Sequence, residues 1–259
     1  MNGTTRLATF VSPGMSRRLA LDLAGQGVLH HAKVFTDVAL ALETGGATAV
    51  ALELTLLRQD ALDSLVAAVV RSGAGMLACL PLTAEGVDRL LAVLQLVPCE
   101  VQLDGHDNAT LLRDRIRRLP QTSLPSSVLY GISRRVSRLP TSLRFLPVAI
   151  LCGPLGEVDS HDLIMRTGMS IRSVERWLNR VGLASISRLR RVRRVAQSME
   201  LMGSSRVNLG AVATECGFGA ERALAAAWNA TVGRSPRRAS RSMSRDEVAH
   251  ALVRAMDIP

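Results

Sequence analysis

Aromatic residues are almost missing from this 259-residue chain, which has four Phe, two Trp and one Tyr. A binder of single strands that works by base stacking needs several aromatic platforms, so that class is excluded. Lysine is rarer still: Lys33 is the only one among 32 Lys+Arg, and the basic side of the molecule is arginine. The four cysteines, Cys79, Cys99, Cys152 and Cys216, show no CxxC or Cys/His ligand spacing. Neither a zinc site nor a disulfide framework is indicated, and buried thiols in a reducing compartment are expected. No apolar run approaches the length of a membrane span, and the N-terminus MNGTTRLATF has no secretory pattern. A soluble cytoplasmic protein without membrane contact is the expectation. GxSxG, HExxH and GxxxxGK[ST] do not occur, so no nucleophile and base held by a third group can be nominated. The expectation is a non-enzyme without cofactor or metal; His30 and His31 lack partner ligands at suitable spacing, and Asp104, His106 and Asp107 read as a polar loop.

What the chain does have is aliphatic bulk, with 47 % of residues in the AVILMFWYC set, enough to offset ordering entropy. Its net charge of +10 is unevenly placed. Residues 1–119 hold 11 Lys+Arg against 12 Asp+Glu, whereas residues 120–259 hold 21 against 10. The surplus points to a polyanionic partner for the second half. Nucleic acid leads, ahead of an anionic membrane surface or a solvated arginine face.

Residues 1–119 alternate between short apolar runs and segments of helical period. Strands are expected at Leu7–Val11, Val28–Phe35, Ala49–Leu56, Gly75–Leu80 and Glu100–Leu103, each followed by a helix. Five βα units imply an α/β domain with a parallel five-stranded sheet. Residues 120–141 contain three prolines and five serines and read as a connector with a short helix near Ser127–Ser137. Residues 142–241 read as an all-α domain, and residues 242–259 as a C-terminal helix with Ser244 and Glu247 at capping-box spacing.

The basic half contains two helix–turn–helix patterns. In Leu163–Gly182 a short helix ends at Gly168 and Ser170 caps the next. Val174, Trp177 and Leu178 are expected inward, leaving Ile171, Arg172, Ser173, Arg176 and Arg180 for a DNA groove. In Leu209–Pro236, Gly217 makes the turn, Phe218 plugs it, and Leu224 and Trp228 anchor a second helix opening with Ala220, Glu221 and Arg222. Ser187–Met202 joins the units as one helix of roughly 24 Å. Its Arg188, Arg190, Arg191, Arg193 and Arg194 read as a phosphate-facing or solvated stripe, and Arg237, Arg238 and Arg241 as backbone contacts or a frayed basic tail.

These residues resemble the DNA-binding domain of the AraC/XylS family of transcription regulators. GMSIRSVERWL with Gly182 is similar to the first unit of that family, RVRRVAQSMELM to its linker helix, and VATECGF with Leu224, Trp228, Gly233 and Pro236 to its second signature. The resemblance implies sequence-specific binding of double-stranded DNA, transcription regulation, and RNA polymerase as a further partner. Ile164, Ala226 and Ala239 depart from the pattern. Because the second helix offers only Glu221, Arg222 and Asn229 as polar readers, most base readout is assigned to the first unit.

The first half resembles the receiver domain of two-component response regulators, a flavodoxin-like fold. Glu53 falls where that resemblance places the phosphoacceptor aspartate. Ser12-Pro13-Gly14 stand where the acidic pair for Mg²⁺ belongs, and no lysine follows the fifth strand. A degenerate receiver-like domain that accepts no phosphate is expected, serving regulation or homodimerisation. Two alternatives stay open: an interaction protein whose DNA-binding domain has lost specificity, and a phosphate-switched response regulator.

Overall fold

Two periodicities separate in space as they do along the chain. The computed structural model describes residues 5–23, 27–32, 34–104, 109–119, 121–153, 160–203 and 208–257, and the chain divides into two compact units, Met1–Ser123 and Leu124–Pro259.

In the first unit, strands β1 (Thr5–Phe10), β2 (Gly27–His31), β3 (Ala49–Glu53), β4 (Gly75–Leu80) and β5 (Glu100–Leu103) alternate with helices α1 (Pro13–Leu23), α2 (Phe35–Glu43), α3 (Gln59–Ser72), α4 (Ala84–Val93) and α5 (Ala109–Arg118). All neighbouring strands pair in parallel, in the order β2-β1-β3-β4-β5. Leu7, Ala49, Ala51, Leu77 and Cys79 form one buried layer with Met15 and Leu19 of α1 and Leu112 and Ile116 of α5. The alternate residues Ala8, Val50, Leu52, Met76 and Ala78 are buried too, so the sheet is covered on both faces. Such strands read as unbroken apolar runs instead of alternating ones. The third run is shorter than expected, because Leu54–Leu56 turns into a 3-10 helix and only Ala49–Glu53 pairs.

The second unit begins earlier than the sequence suggests. The short helix expected near Ser127–Ser137 is present as α6 (Leu124–Val136), but it belongs to this unit and not to a connector, with Leu124, Val128, Leu129, Ile132 and Val136 fully buried. Pro125 lies in its first turn, where the missing N–H costs nothing. Proline therefore marks a helix start here and not a linker. Helix α7 (Thr141–Cys152) packs on α6 and contains Pro147. Then follow α8 (Ser160–Arg166), α9 (Ile171–Arg180), α10 (Ile186–Met202), α11 (Leu209–Glu215), α12 (Glu221–Val232), α13 (Pro236–Ser242) and α14 (Arg245–Arg254). The long helix α10 touches α6, α7, α11, α12, α13 and α14. Helix α14 does not stand apart: it packs on α6 so closely that a Cβ at Gly131 would lie 2.6 Å from Val253 Cγ2.

Buried carboxylates fix both units. Glu100, on β5, accepts from Ser123 N at 2.7 Å and faces Arg115 Nε at 3.4 Å. Glu200, on α10, accepts from Leu124 N at 2.6 Å and pairs with Arg245 of α14. One carboxylate thereby satisfies an otherwise orphan N–H at the start of α6 and holds α14 in place. All four cysteines are buried and unpaired with each other. Burial, with Glu215 beside it, pushes the Cys216 thiol up to about 12, which keeps it protonated and unreactive. No helix among the described residues is long and apolar enough to cross a membrane.

Candidate nucleic-acid interface

Each helix pair turns on a glycine in the left-handed region. Gly168 (φ 66°) follows α8, and Gly217 (φ 71°) follows α11. A β-carbon would be strained at either place. In the first unit the buried Thr167 hydroxyl donates to Ile164 O at 2.6 Å and accepts from Met169 N at 3.1 Å, closing the turn with side-chain bonds. In the second, Phe218 N donates to Ala213 O at 2.7 Å and the Phe218 ring is buried over that turn.

The two second helices begin differently. Ser170 Oγ accepts from Ser173 N and caps α9, whereas Ala220 offers α12 no cap. Along α9, Val174 and Leu178 are fully buried, and Ser170, Arg172, Arg176, Asn179 and Arg180 are exposed. Ile171 is 56 % exposed and so is available for contact with a thymine methyl. Ser173 is half-buried, held by the cap. Trp177, expected inward, is also only half-buried: the Arg180 guanidinium lies 4.9 Å above its ring. Replacing Ser170 by alanine should destabilise the helical unit by about 1 kcal/mol. A thermal melt checks this, with an unchanged midpoint contradicting the cap.

Glu175 is not singled out by the sequence, yet it ties α9 to the start of α10. Its carboxylate accepts from Ile186 N, the first residue of α10, at 3.1 Å. The turn after α9 is held from a second side, where Arg135 of α6 donates to Gly182 O at 2.9 Å and pairs with Asp257. Between α9 and the start of α10 lies a groove of about 650 Å³, which gathers Ile171, Arg172 and Arg176 with Arg188. The sequence assigns Arg188 to a stripe; the fold brings it beside α9.

The rest of that stripe divides. Arg193 is buried and donates to Gly153 O at 3.1 Å and Gln197 Oε1 at 2.7 Å, so it joins α7 to α10 and does not face a phosphate. Arg194 lies 5.8 Å over the Phe218 ring, Arg191 is exposed, and Arg190 is half-buried.

On α12, Leu224, Ala227 and Trp228 are buried, and Trp228 Nε1 donates to Ser198 Oγ of α10 at 2.8 Å. Glu221 and Arg222 are exposed beside Ala223, Ala226, Asn229 and Ala230. Glu221 faces Arg237 of α13 at 3.8 Å, so part of its charge is answered within the protein. The segment carrying Arg237, Arg238 and Arg241 is no frayed tail. Pro236 occupies the first turn of α13, and the buried Ala239 packs that helix inward.

In the first unit of the chain, Glu53 stands at the C-terminal end of β3, half-buried, and accepts from Ser12 N after β1 at 2.8 Å. The His30 and His31 side chains, Lys33, His106 and Asp107 lie outside the described residues.

Residues 163–242 match the model of a family described as a helix-turn-helix domain. That match supports an AraC-type DNA-binding domain in a transcription regulator, and it spans 80 of the 259 residues. Helices α6, α7 and α14 lie outside the matched stretch but inside the same compact unit. No curated protein and no solved structure gives a significant match to the chain.

Proposed function

We propose that this protein is a non-enzymatic, cytoplasmic regulator that binds double-stranded DNA at defined sequences, with α9 entering one major groove and α12 the adjacent one. The observation that carries the reading is α9 itself: a capped, amphipathic helix whose apolar side is buried and whose free side presents Ile171, Arg172 and Arg176. Arginine forks suit guanine O6 and N7, and the exposed isoleucine suits thymine. Selection of duplexes from a random pool tests it, with an enriched motif expected. A pool that stays random would leave only sequence-independent binding.

The two units divide the work in this reading. Helix α9 reads bases, and α12, with three exposed alanines and a Glu221 already paired, seats the domain on the backbone. The N-terminal α/β unit is a receiver-like regulatory or dimerisation domain that takes no phosphate. Its parallel strand order and the Glu53 carboxylate occupied by Ser12 N–H support this. RNA polymerase is the proposed partner through which a bound regulator acts. Incubation with a small phosphodonor and Mg²⁺ should leave no stable acyl phosphate; its formation would favour a phosphate-switched regulator.

A further inference from the structure

A second concave site lies at the opposite end of α12 from its expected reading residues. Its volume is about 710 Å³, and Asn229, Arg234, Ser235, Arg238, Arg241 and Ser242 line it together with Gly233. No carboxylate is among its lining residues. The geometry follows from two local choices. Gly233, in the left-handed conformation (φ 76°), ends α12 and reverses the chain, and Pro236 at once starts α13. Arg238 and Arg241, three apart on α13, then share one helical face. Arg237 points elsewhere, to Glu221. Arg234 is held in position by a bond from Nη1 to Ser242 Oγ at 2.9 Å, and Ser242 Oγ in turn donates to Arg238 O at 2.8 Å.

We infer that this pocket binds a phosphate group of the DNA backbone, with Arg238 and Arg241 as its cations and Arg234, Ser235 and Asn229 as further donors. The inference rests on the proposal that the helical unit seats on duplex DNA, and it names where one phosphate goes. The charge balance favours an anion. The C-terminal end of α12 contributes at most about half a negative charge, against three guanidinium groups. Arg234 already donates to Ser242 Oγ, which leaves Arg238 and Arg241 as the dominant cations. Guanidinium forks match phosphate oxygens in a bidentate way. A pocket fixed at the end of a groove-entering helix fits a backbone that borders the groove.

The test uses the full-length protein, one selected duplex and one random duplex, with affinity followed against salt. R238A/R241A should bind both duplexes about tenfold more weakly and lower the salt slope by about one. The ratio between the duplexes should not move. R58A, which removes an exposed arginine of the N-terminal unit, should keep the wild-type slope, and R238K/R241K, which retains the charge, should keep most of it. An unchanged slope in R238A/R241A, or a loss confined to the selected duplex, would overturn the pocket. If wild-type protein does not distinguish the duplexes, the reading of sequence fails, while the slope on random DNA still judges the pocket. Inorganic phosphate titrated at constant ionic strength separates the two sources of the ligand. Weak, unsaturated binding is expected; micromolar binding lost in R238A/R241A, with the DNA slope intact, would assign the pocket to a free anion instead.

Discussion

Replacing Arg172 and Arg176 together by alanine should erase most of the preference of the protein for its own site while leaving the fold intact. Both side chains are exposed on α9, and neither contributes to the buried stripe of Val174 and Leu178 or to the Ser170 cap. Stability should therefore stay within about 0.5 kcal/mol, as for surface substitutions away from special features. Each well-formed bidentate contact to a base contributes about 1–3 kcal/mol of discrimination. The double variant is thus expected to lose on the order of a hundredfold or more in the ratio of selected to random duplex. Residual affinity should remain, because phosphate contacts supply most sequence-independent binding. Binding curves on the two duplexes check this, with Arg222→Ala as the comparison. A larger loss of preference from Arg222→Ala than from the double variant would transfer readout to α12.

Trp228→Ala should be the most damaging single substitution in the helical unit. The indole is fully buried where α12 meets α10, and its Nε1 donates to the buried Ser198 Oγ. Truncating a buried tryptophan costs about 3–5 kcal/mol through lost transfer energy and the cavity left behind. That is a large share of a typical stability of about 5–15 kcal/mol. The helical transition should move down by roughly 10–20 °C in a thermal melt. Trp177→Ala, by contrast, removes a half-buried ring covered by Arg180 and should cost clearly less. Equal costs at the two tryptophans would contradict the packing described for α10 and α12.

The alternation of strand and helix in residues 1–119 was legible because strands covered on both faces leave unbroken apolar runs. The turns of both helix pairs were legible because Gly168 and Gly217 sit where only glycine is comfortable. Helix α6 is legible only in part: a short helix near Ser127–Ser137 is expected, but Pro120, Pro125 and five serines look like a linker and hide its start at Leu124 and its place in the second unit. Arg193 reads in the sequence as one of a run of arginines. Its helical phase with Leu189, Val192 and Ala196, all buried, was the signal that could have found it. Glu100, Glu175 and Glu200 had no local signal at all. Their partners lie 23, 11 and 76 residues away, and single carboxylates acquire such roles only once the chain has folded. The pocket at the end of α12 was hidden for the same reason, because it depends on the reversal at Gly233 placing Arg234 beside Arg238 and Arg241.

A hydroxyl-radical footprint on a selected duplex tests the central claim most directly. Two protected patches on one face of the helix, about one turn or roughly 34 Å apart, are expected with wild-type protein. The patch assigned to α9 should fade in the variant lacking Arg172 and Arg176. Even protection along the whole duplex, unchanged in that variant, would contradict a protein that reads sequence and leave one that only holds DNA by its charge.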